Sequence, residues 1–365
     1  MTTAFDWESI QKTALLRDEL PGELAPFALS SGEGLRHHLG DWHVTTMARN
    51  ADTGGEFSLY RIALPGGSAT PALSVPGHSF VHVIEGEVTL TFDGRVHRLI
   101  GGDSASIPAG TGFSISGGAT LNSFFLYSTE EWLHRLASEA GEATGSHIFS
   151  RRPASAVSEL LRSELSDGFG VTIHDGNGPS NGESLVGGES SVGGAEAKRP
   201  GNHLPEGEVP FVNAAGHGDR FETFEQMNAY PVRARNTGGR FFAMDTRGAK
   251  TPYIPLHFHR EHSENFLCLG GRVKLHANGE EVVLAPGDFL HAPAGTIHSF
   301  SLAANNTHML GLLTPPVFEP FFEYMNEPTD EYVHVEGGEP HFPAAGFAKA
   351  QAELDLVVVG PPPES

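Results

Sequence analysis

The sequence predicts an all-β protein built from two similar barrel- or sandwich-like domains. From Trp42 onward, short runs rich in β-branched and aromatic residues alternate with Gly and Pro turns, which is the rhythm of β-sandwiches and barrels. A set of turn residues also recurs at an offset of 185 residues, which indicates a duplicated domain. The matched pairs are Gly86 and Gly271, Gly102 and Gly287, Pro108 and Pro293, and Gly110 and Gly295.

The duplication and the changes in composition divide the 365-residue chain into five predicted segments. An N-terminal arm over 1–41 precedes a first barrel over 42–145. A helix and a Gly/Ser-rich linker over 146–220 lead to a second barrel over 221–345, followed by a tail over 346–365. A chain of this length accommodates two domains of ordinary size.

A few short helices are predicted beside the strands. The first begins near Thr129, whose hydroxyl suits an N-cap, and ends before Gly141. The second runs from Pro153 to Leu165 with its apolar residues on one face. The aromatic stretch after Phe318 predicts a further short helix packed on the second barrel.

The segment 174–208 differs in composition from the rest of the chain. Gly, Ser and Glu dominate it, and few of its residues can anchor a core. This composition is typical of a flexible connection, although a loop of this length also suits a lid over an active site. Both interpretations stay open.

The charge balance restricts the partners of the protein. The formal net charge is −22, from 23 basic and 45 acidic residues, which argues against binding nucleic acid or an anionic membrane through a general basic surface. No apolar run approaches the length of a membrane span, and the first twenty residues lack the apolar core of a signal peptide, so we expect a cytoplasmic protein. The single cysteine, Cys268, excludes an internal disulfide.

Four side chains of the second barrel have the types and spacing of a metal site. His257 and His259 are two residues apart, so both point to the same face of an extended strand. Glu264 lies beside an apolar run that predicts a buried strand, and His298 follows a tight turn. Three neutral imidazoles and one carboxylate suit one divalent transition metal. Such a shell leaves a position open for water, substrate or a gas, as a metal enzyme requires.

This spacing resembles the two motifs of the cupin family. The first motif reads His-x-His, three or four residues, Glu, six residues, Gly, and the second reads Gly, five residues, Pro-x-Gly, two residues, His. Thr251 replaces an outer Gly and Leu302 an outer Asn, but neither position is a metal ligand. The resemblance implies a bicupin, with two double-stranded β-helix (jelly-roll) barrels. The matching residues are His257, His259, Glu264, Gly271, Gly287, Pro293, Gly295 and His298.

The first copy of the motif has lost its ligands. Counting back by the repeat offset places Ala72 and Ser74 at the two His positions, Ser79 at the Glu position and Phe113 at the last His position. We therefore predict a metal in the C-terminal cupin alone and a structural role for the N-terminal cupin.

Apolar residues around the second motif predict the substrate pocket. Alternation along a strand sends some of these side chains inward and others outward, so each is either a pocket wall or ordinary barrel core. Their character does not suit a highly charged substrate. The candidates are Phe242, Met244, Tyr253, Phe266, Phe289 and Phe300.

Over most of its length the chain resembles the quercetinases, the quercetin 2,3-dioxygenases among bicupins. The resemblance rests on Thr-Gly-Gly at 53–55 and 237–239, on the His-x-His-x4-Glu loop and on the stretch over 314–332. It implies a metal-dependent dioxygenase that cleaves a flavonol ring, with O2 as co-substrate and Glu264 as the catalytic group that deprotonates the substrate hydroxyl. The metal in this family is iron, manganese, nickel, cobalt or copper, and the motif does not select one.

Two other functions stay open. The same four residues would serve a non-oxidative cupin enzyme, such as an isomerase, cyclase or decarboxylase, with the metal as Lewis acid; turnover under strict anaerobiosis would favour this alternative. The blank first copy also leaves a non-catalytic, small-molecule-binding bicupin, which ligand binding that survives His257→Ala would support. Barrel edges and an aromatic tail that need covering favour a homodimer.

Overall fold

The computed structural model describes residues 6–147, 149, 156–164, 169–174, 203–223, 226–334 and 342–364. Strands dominate it, and the all-β prediction is confirmed. The strands of the first half are β1 (Leu16–Arg17), β2 (Phe27–Leu29), β3 (Leu35–Leu39), β4 (Trp42–Ala48), β5 (Ser58–Leu64), β6 (Leu73–Ser74), β7 (Ser79–Glu85), β8 (Glu87–Phe92), β9 (Arg95–Ile100), β10 (Ser104–Ile107), β11 (Phe113–Gly117), β12 (Asn122–Ser128), β13 (Glu142–Ala143) and β14 (Thr172–Ile173).

The second half repeats this series of short strands. They are β15 (Phe211–Asn213), β16 (Asp219–Glu222), β17 (Gln226–Val232), β18 (Phe242–Gly248), β19 (Leu256–His259), β20 (Ser263–Gly270), β21 (Val273–Ala277), β22 (Glu280–Leu284), β23 (Phe289–Ala292), β24 (His298–Leu302), β25 (Thr307–Thr314), β26 (Glu327–Pro328) and β27 (Leu356–Gly360).

The helices of the described residues are short. In the first half, α2 has Glu131 rather than Thr129 at its N-cap, and α3 lies inside the predicted second helix. The aromatic helix predicted after Phe318 is α4. None of the helices described here is long and apolar enough to cross a membrane. The helices are α1 (Trp7–Ile10), α2 (Trp132–Ala140), α3 (Ala156–Glu164), α4 (Pro320–Met325) and α5 (Ala344–Glu353), with 3₁₀ turns at Ala234–Asn236 and Pro316–Phe318.

The strands form two barrels, each made of one large and one small sheet. In the first barrel, the large sheet has the order β13-β3-β4-β5-β12-β7-β10-β15 and the small sheet β14-β6-β11-β8-β9. In the second barrel, the large sheet has the order β1-β2-β23-β20-β25-β18-β17-β16-β26 and the small sheet β22-β21-β24-β19-β27. The predicted double barrel is therefore present.

The turn glycines of the repeat take the same backbone conformation in both copies. Gly102 and Gly287 have φ values of 93° and 94°, in the left-handed region that favours glycine. Gly295 has φ 94°, and a Cβ built there would lie 2.3 Å from the carbonyl oxygen of Trp7. The backbone therefore requires glycine at these points, which is why the turns are the most visible trace of the duplication.

Several of the described strands belong to a barrel but lie outside its predicted bounds. Strand β2, from the predicted arm, pairs with β23 in the large sheet of the second barrel. Strand β27, from the predicted tail, pairs with β19 in the small sheet. Strand β15, from the predicted linker, pairs with β10 of the first barrel. Most of the segment 174–208, and with it the choice between linker and lid, lies outside the described residues.

The two large sheets pack face to face through an apolar core that contains residues of both barrels. Phe57 stacks on Tyr127 with ring centroids 4.9 Å apart, and Phe27 meets Phe289 edge-on at 5.9 Å. Leu267 of β20 belongs to this core, while its neighbour Phe266 faces the inside of the second barrel. The first barrel thus supports the sheet from which Glu264 projects.

Candidate metal centre

Three histidines meet on the small sheet of the second barrel. His257 of β19 pairs directly with His298 of β24, and their ring centroids are 4.3 Å apart. The ring of His259 lies 5.1 Å from that of His257 and 5.4 Å from that of His298. The two residues of the His-x-His motif therefore share one face of the strand, as their spacing predicts.

Glu264 reaches these histidines from the large sheet on the opposite side of the barrel. Its Oε2 lies 2.9 Å from Nε2 of His298 and 3.4 Å from Nε2 of His259. Across the four residues, one ligand atom from each lies within 4.8 Å of the others. The structure thus brings together all four residues that the sequence selects.

The outward nitrogens of the rings are held by hydrogen bonds. Nδ1 of His257 lies 2.9 Å from the carbonyl oxygen of Pro255, and Nδ1 of His298 lies 2.9 Å from that of Thr296. A carbonyl oxygen only accepts, so a proton on Nδ1 satisfies each of these contacts and leaves Nε2 as the atom that a cation would take. This is the tautomer that a metal ligand needs.

Burial and mutual proximity set the charge of the site. Burial, with the neighbouring imidazoles, lowers the pKa of His257 well below its ordinary value, which keeps the ring neutral. Burial acts to raise the pKa of Glu264, but the imidazoles of His259 and His298 outweigh it and hold the pKa well below its ordinary value. Glu264 is therefore a carboxylate surrounded by imidazole nitrogens.

These side chains fit a divalent transition metal. Nε2 of His259 is buried without a hydrogen bond, so a cation would satisfy an atom that the protein alone leaves unsatisfied. Three imidazoles with one carboxylate are a ligand set that such metals accept. His257 and Glu264 also line a cavity, so a cation held by the four would be accessible from it. Metal binding remains a prediction that this geometry supports.

The cavity lies inside the second barrel and has mostly apolar walls. It offers about 180 Å³ to water-sized molecules. One water needs about 10–15 Å³ by this measure, so there is room for an organic molecule of several rings. At one end, polar groups face it: the Thr246 hydroxyl donates to Oδ1 of Asn228 at 2.8 Å, and Nδ2 of Asn228 donates to Oδ1 of Asn326 at 3.1 Å.

The structure divides the six predicted pocket residues into two groups. Met244, Phe266 and Phe300 line the cavity. Phe242, Tyr253 and Phe289 do not line it.

The packing of these three side chains explains why they lie away from the cavity. Phe289 is on the outer face of β23 and packs in the core between the barrels. Phe242 is on the same face as Met244 but is covered by Phe322, with ring centroids 6.0 Å apart. The hydroxyl of Tyr253 donates to Oε2 of Glu281 at 2.7 Å, which directs the ring away from the cavity.

The residues that close the cavity are not among those predicted from the sequence. Phe321, Phe322 and Met325 of α4 line it, together with Phe347 of α5. The dense aromatic run after Phe318 predicts the helix, but the pattern gives no direction for its side chains. A second omission is Asp355, just before β27, whose Oδ1 lies 3.6 Å from Nδ1 of His259. Nothing in the spacing of the motif signals this aspartate.

The corresponding region of the first barrel is filled by apolar side chains. Phe113, at the position equivalent to the last histidine, is 4% exposed and packs in the barrel core. The cavity there offers about 20 Å³ and is lined by residues such as Trp42, Leu73 and Leu126. Among the described residues, the four-ligand cluster is found in the second barrel.

Comparison with known proteins places this architecture in a family. The Cupin domain family matches residues 60–117 and 247–311, one stretch in each barrel. The chain is 32% identical to quercetin 2,3-dioxygenase of Bacillus subtilis (strain 168) over 330 residues, which cover 87% of this chain and 91% of that protein. The chain belongs to the quercetinase-like bicupins. It is a cupin enzyme with His and Glu side chains arranged to hold a divalent metal.

Other relatives of this bicupin are more distant. Quercetin 2,3-dioxygenase of Aspergillus japonicus is 28% identical over 137 residues, 36% of this chain and 38% of that protein. The structure of Lactobacillus farciminis oxalate decarboxylase in its formate complex superposes with a TM-score of 0.51 at 14% identity, over 80% of this chain and 86% of that one. The coconut allergen cocosin gives 0.50 at 12% identity, over 81% and 86%. At such identities the likeness shows the fold alone.

Proposed function

We propose that this bicupin is a metal-dependent dioxygenase that uses O2 to cleave a flavonol or a related hydroxylated aromatic ring. The observation that carries the proposal is the cluster of three histidines and Glu264 at the wall of an apolar cavity with room for an aromatic molecule of several rings. The long match to a quercetin 2,3-dioxygenase supports the same substrate class.

Glu264 has two roles in this proposal. When bound, a divalent transition metal would act as a Lewis acid and lower the pKa of a coordinated hydroxyl. Glu264 stays anionic at neutral pH because of the imidazoles around it, so its carboxylate serves as a ligand and accepts the proton of the substrate hydroxyl. It also lines the cavity, which puts it within reach of a bound molecule.

The cavity walls would orient the substrate. Phe266 and Phe300 present rings on the side of the ligands, and α4 supplies Phe321 and Phe322. Offset or edge-on contacts with such rings contribute about 0.5–1.5 kcal/mol per pair. The polar groups around Asn228 offer hydrogen bonds to hydroxyls elsewhere on the same molecule, a pattern suited to a polyhydroxylated aromatic.

Oxygen uptake and loss of flavonol absorbance test the proposal directly. Metal-loaded wild type should consume O2 as the flavonol absorbance disappears. Glu264→Gln removes the charge and the proton acceptor, and should lower kcat by about 10²–10⁴-fold. Glu281→Gln, on the outside of the barrel beside Tyr253, is the matched control and should keep full activity. Equal turnover under strict anaerobiosis would contradict the dioxygenase assignment and favour the non-oxidative alternative.

A further inference from the structure

The three histidines of the cluster are not held in the same way. His257 and His298 each use a backbone carbonyl two residues earlier in the chain as the acceptor for Nδ1. His259 instead faces a carboxylate: Oδ1 of Asp355 lies 3.6 Å from its Nδ1. Both atoms are buried, and within the described residues neither of them makes a hydrogen bond. One ligand of the cluster thus has an anionic neighbour, supplied from the far end of the chain.

Asp355 also fixes the turn that follows His259. Its Oδ2 accepts from the backbone N–H of Glu261 at 3.1 Å, and from the backbone N–H and Nδ1 of His262 at 3.2 and 2.8 Å. Its own carbonyl oxygen accepts from the N–H of Arg260 at 3.2 Å. The carboxylate is 3% exposed, and these three N–H donors satisfy its Oδ2.

The ring of His259 is confined on its other sides. His262 lies against it with ring centroids 4.0 Å apart, and Phe318 meets it edge-on at 4.5 Å. His262 in turn stacks on Phe318 at 4.9 Å. With Asp355 beside Nδ1, these contacts leave Nε2 directed toward Glu264.

We propose that Asp355 is a positioning residue for the metal centre: its carboxylate keeps the proton of His259 on Nδ1 and aims Nε2 at the cation. A carboxylate behind an imidazole fixes its tautomer and makes it a stronger ligand. The strand β27 that follows Asp355 pairs with the ligand strand β19, so docking of the C-terminal segment completes the site. The proposal rests on the proposed metal site but not on the identity of the substrate.

The test compares the metal affinity of two variants with that of wild type, by competition of Co2+ with a chromophoric chelator. Asp355→Asn keeps the shape of the side chain but removes the charge, and we expect it to bind Co2+ about 10–100-fold more weakly. Asp245→Asn is the matched control. Asp245 is also buried and also pairs with a histidine, His308, at 2.9 Å, but it faces His82 of the first barrel. Its variant should bind Co2+ within about twofold of wild type.

The Co2+ absorption bands and the thermal midpoint of the metal-free protein separate positioning from general damage. Asp355→Asn should change the bands, whereas Asp245→Asn should lower the midpoint without changing them. A Co2+ affinity of Asp355→Asn within twofold of wild type would overturn the proposal. If wild type binds Co2+ but turns over no flavonol, the proposed function fails while the role of Asp355 stands.

A second measurement uses the wild-type protein, so it does not depend on the folding of a variant. Long-range ¹H–¹⁵N spectra of the Zn2+-loaded wild type should show His259 protonated on Nδ1, with a proton shifted downfield by the carboxylate. A His259 protonated on Nε2 would overturn the proposal independently of any mutation.

Discussion

Phe266 and Phe289 allow a sharp test of which aromatic residues form the pocket. They lie on neighbouring strands, where Phe266 pairs with Leu290, and they are 1% and 0% exposed. Phe266 faces the cavity, with ring centroids 5.9 Å from those of both His298 and Phe300. Phe289 faces the first barrel. The two side chains are alike in type and burial but differ in the space that they face.

Leucine at either position should have a similar effect on stability and a different effect on the ligand. Truncation of such residues to alanine costs about 3–5 kcal/mol, and leucine keeps much of the volume, so we expect each variant to lose about 1–2 kcal/mol of unfolding free energy. An aromatic contact with the substrate contributes about 0.5–1.5 kcal/mol. Phe266→Leu should therefore lower kcat/KM roughly 2- to 10-fold, and Phe289→Leu should leave it unchanged.

Urea denaturation measures the stabilities, and fluorescence quenching by a flavonol measures affinity even where turnover is slow. Affinity that falls equally in both variants would refute the assignment of the two faces of the barrel wall. Affinity that falls in Phe289→Leu alone would refute it as well.

Three further predictions follow from side chains away from the ligands. Burial raises the pKa of Glu56 to about 7, and a hydrogen bond from Ser263 acts in the opposite direction. Folding therefore favours the protonated carboxyl of Glu56, and this contribution to stability is lost as the pH rises from about 4.5 through 7. Glu56→Gln should be about 3 kcal/mol more stable than wild type at pH 8 and similar at pH 4.5, measured by denaturation. No gain at pH 8 would contradict this. Tyr253→Phe should lower the free energy of unfolding by about 1 kcal/mol and leave the activity unchanged. A fall in kcat/KM would instead indicate that Tyr253 contacts the substrate. Thr246→Val should raise KM for polyhydroxylated flavonols more than for less hydroxylated ones, and an equal effect would argue against polar recognition there.

The four candidate metal ligands could be predicted from the sequence because their arrangement depends mostly on local geometry. Two residues on one face of a strand, a short turn to the carboxylate, and glycine turns with fixed conformations all follow from spacing. His257, His259, Glu264 and His298 converge for this reason. Alternation along a strand shows which side chains share a face, but not whether that face lines the cavity or packs against another sheet. Phe289 could therefore not be distinguished from Phe266 without knowing that a second sheet covers the outside of β23.

The rest of the site depends on contacts between distant parts of the chain. Asp355 meets His259 only after the C-terminal strand has docked beside β19, and no local pattern encodes that pairing. Strand β2 likewise enters the second barrel from the first thirty residues. The aromatic run after Phe318 has a visible composition, but its role as a cavity wall follows from where α4 packs.

The most direct test is an anomalous difference map from crystals of the purified protein, collected at the absorption edge of the metal that it contains. We predict one peak per chain, about 2.0–2.2 Å from nitrogens of His257, His259 and His298 and from an oxygen of Glu264, and no peak inside the first barrel. A peak in the first barrel, or a second barrel whose four side chains surround no metal, would contradict the account.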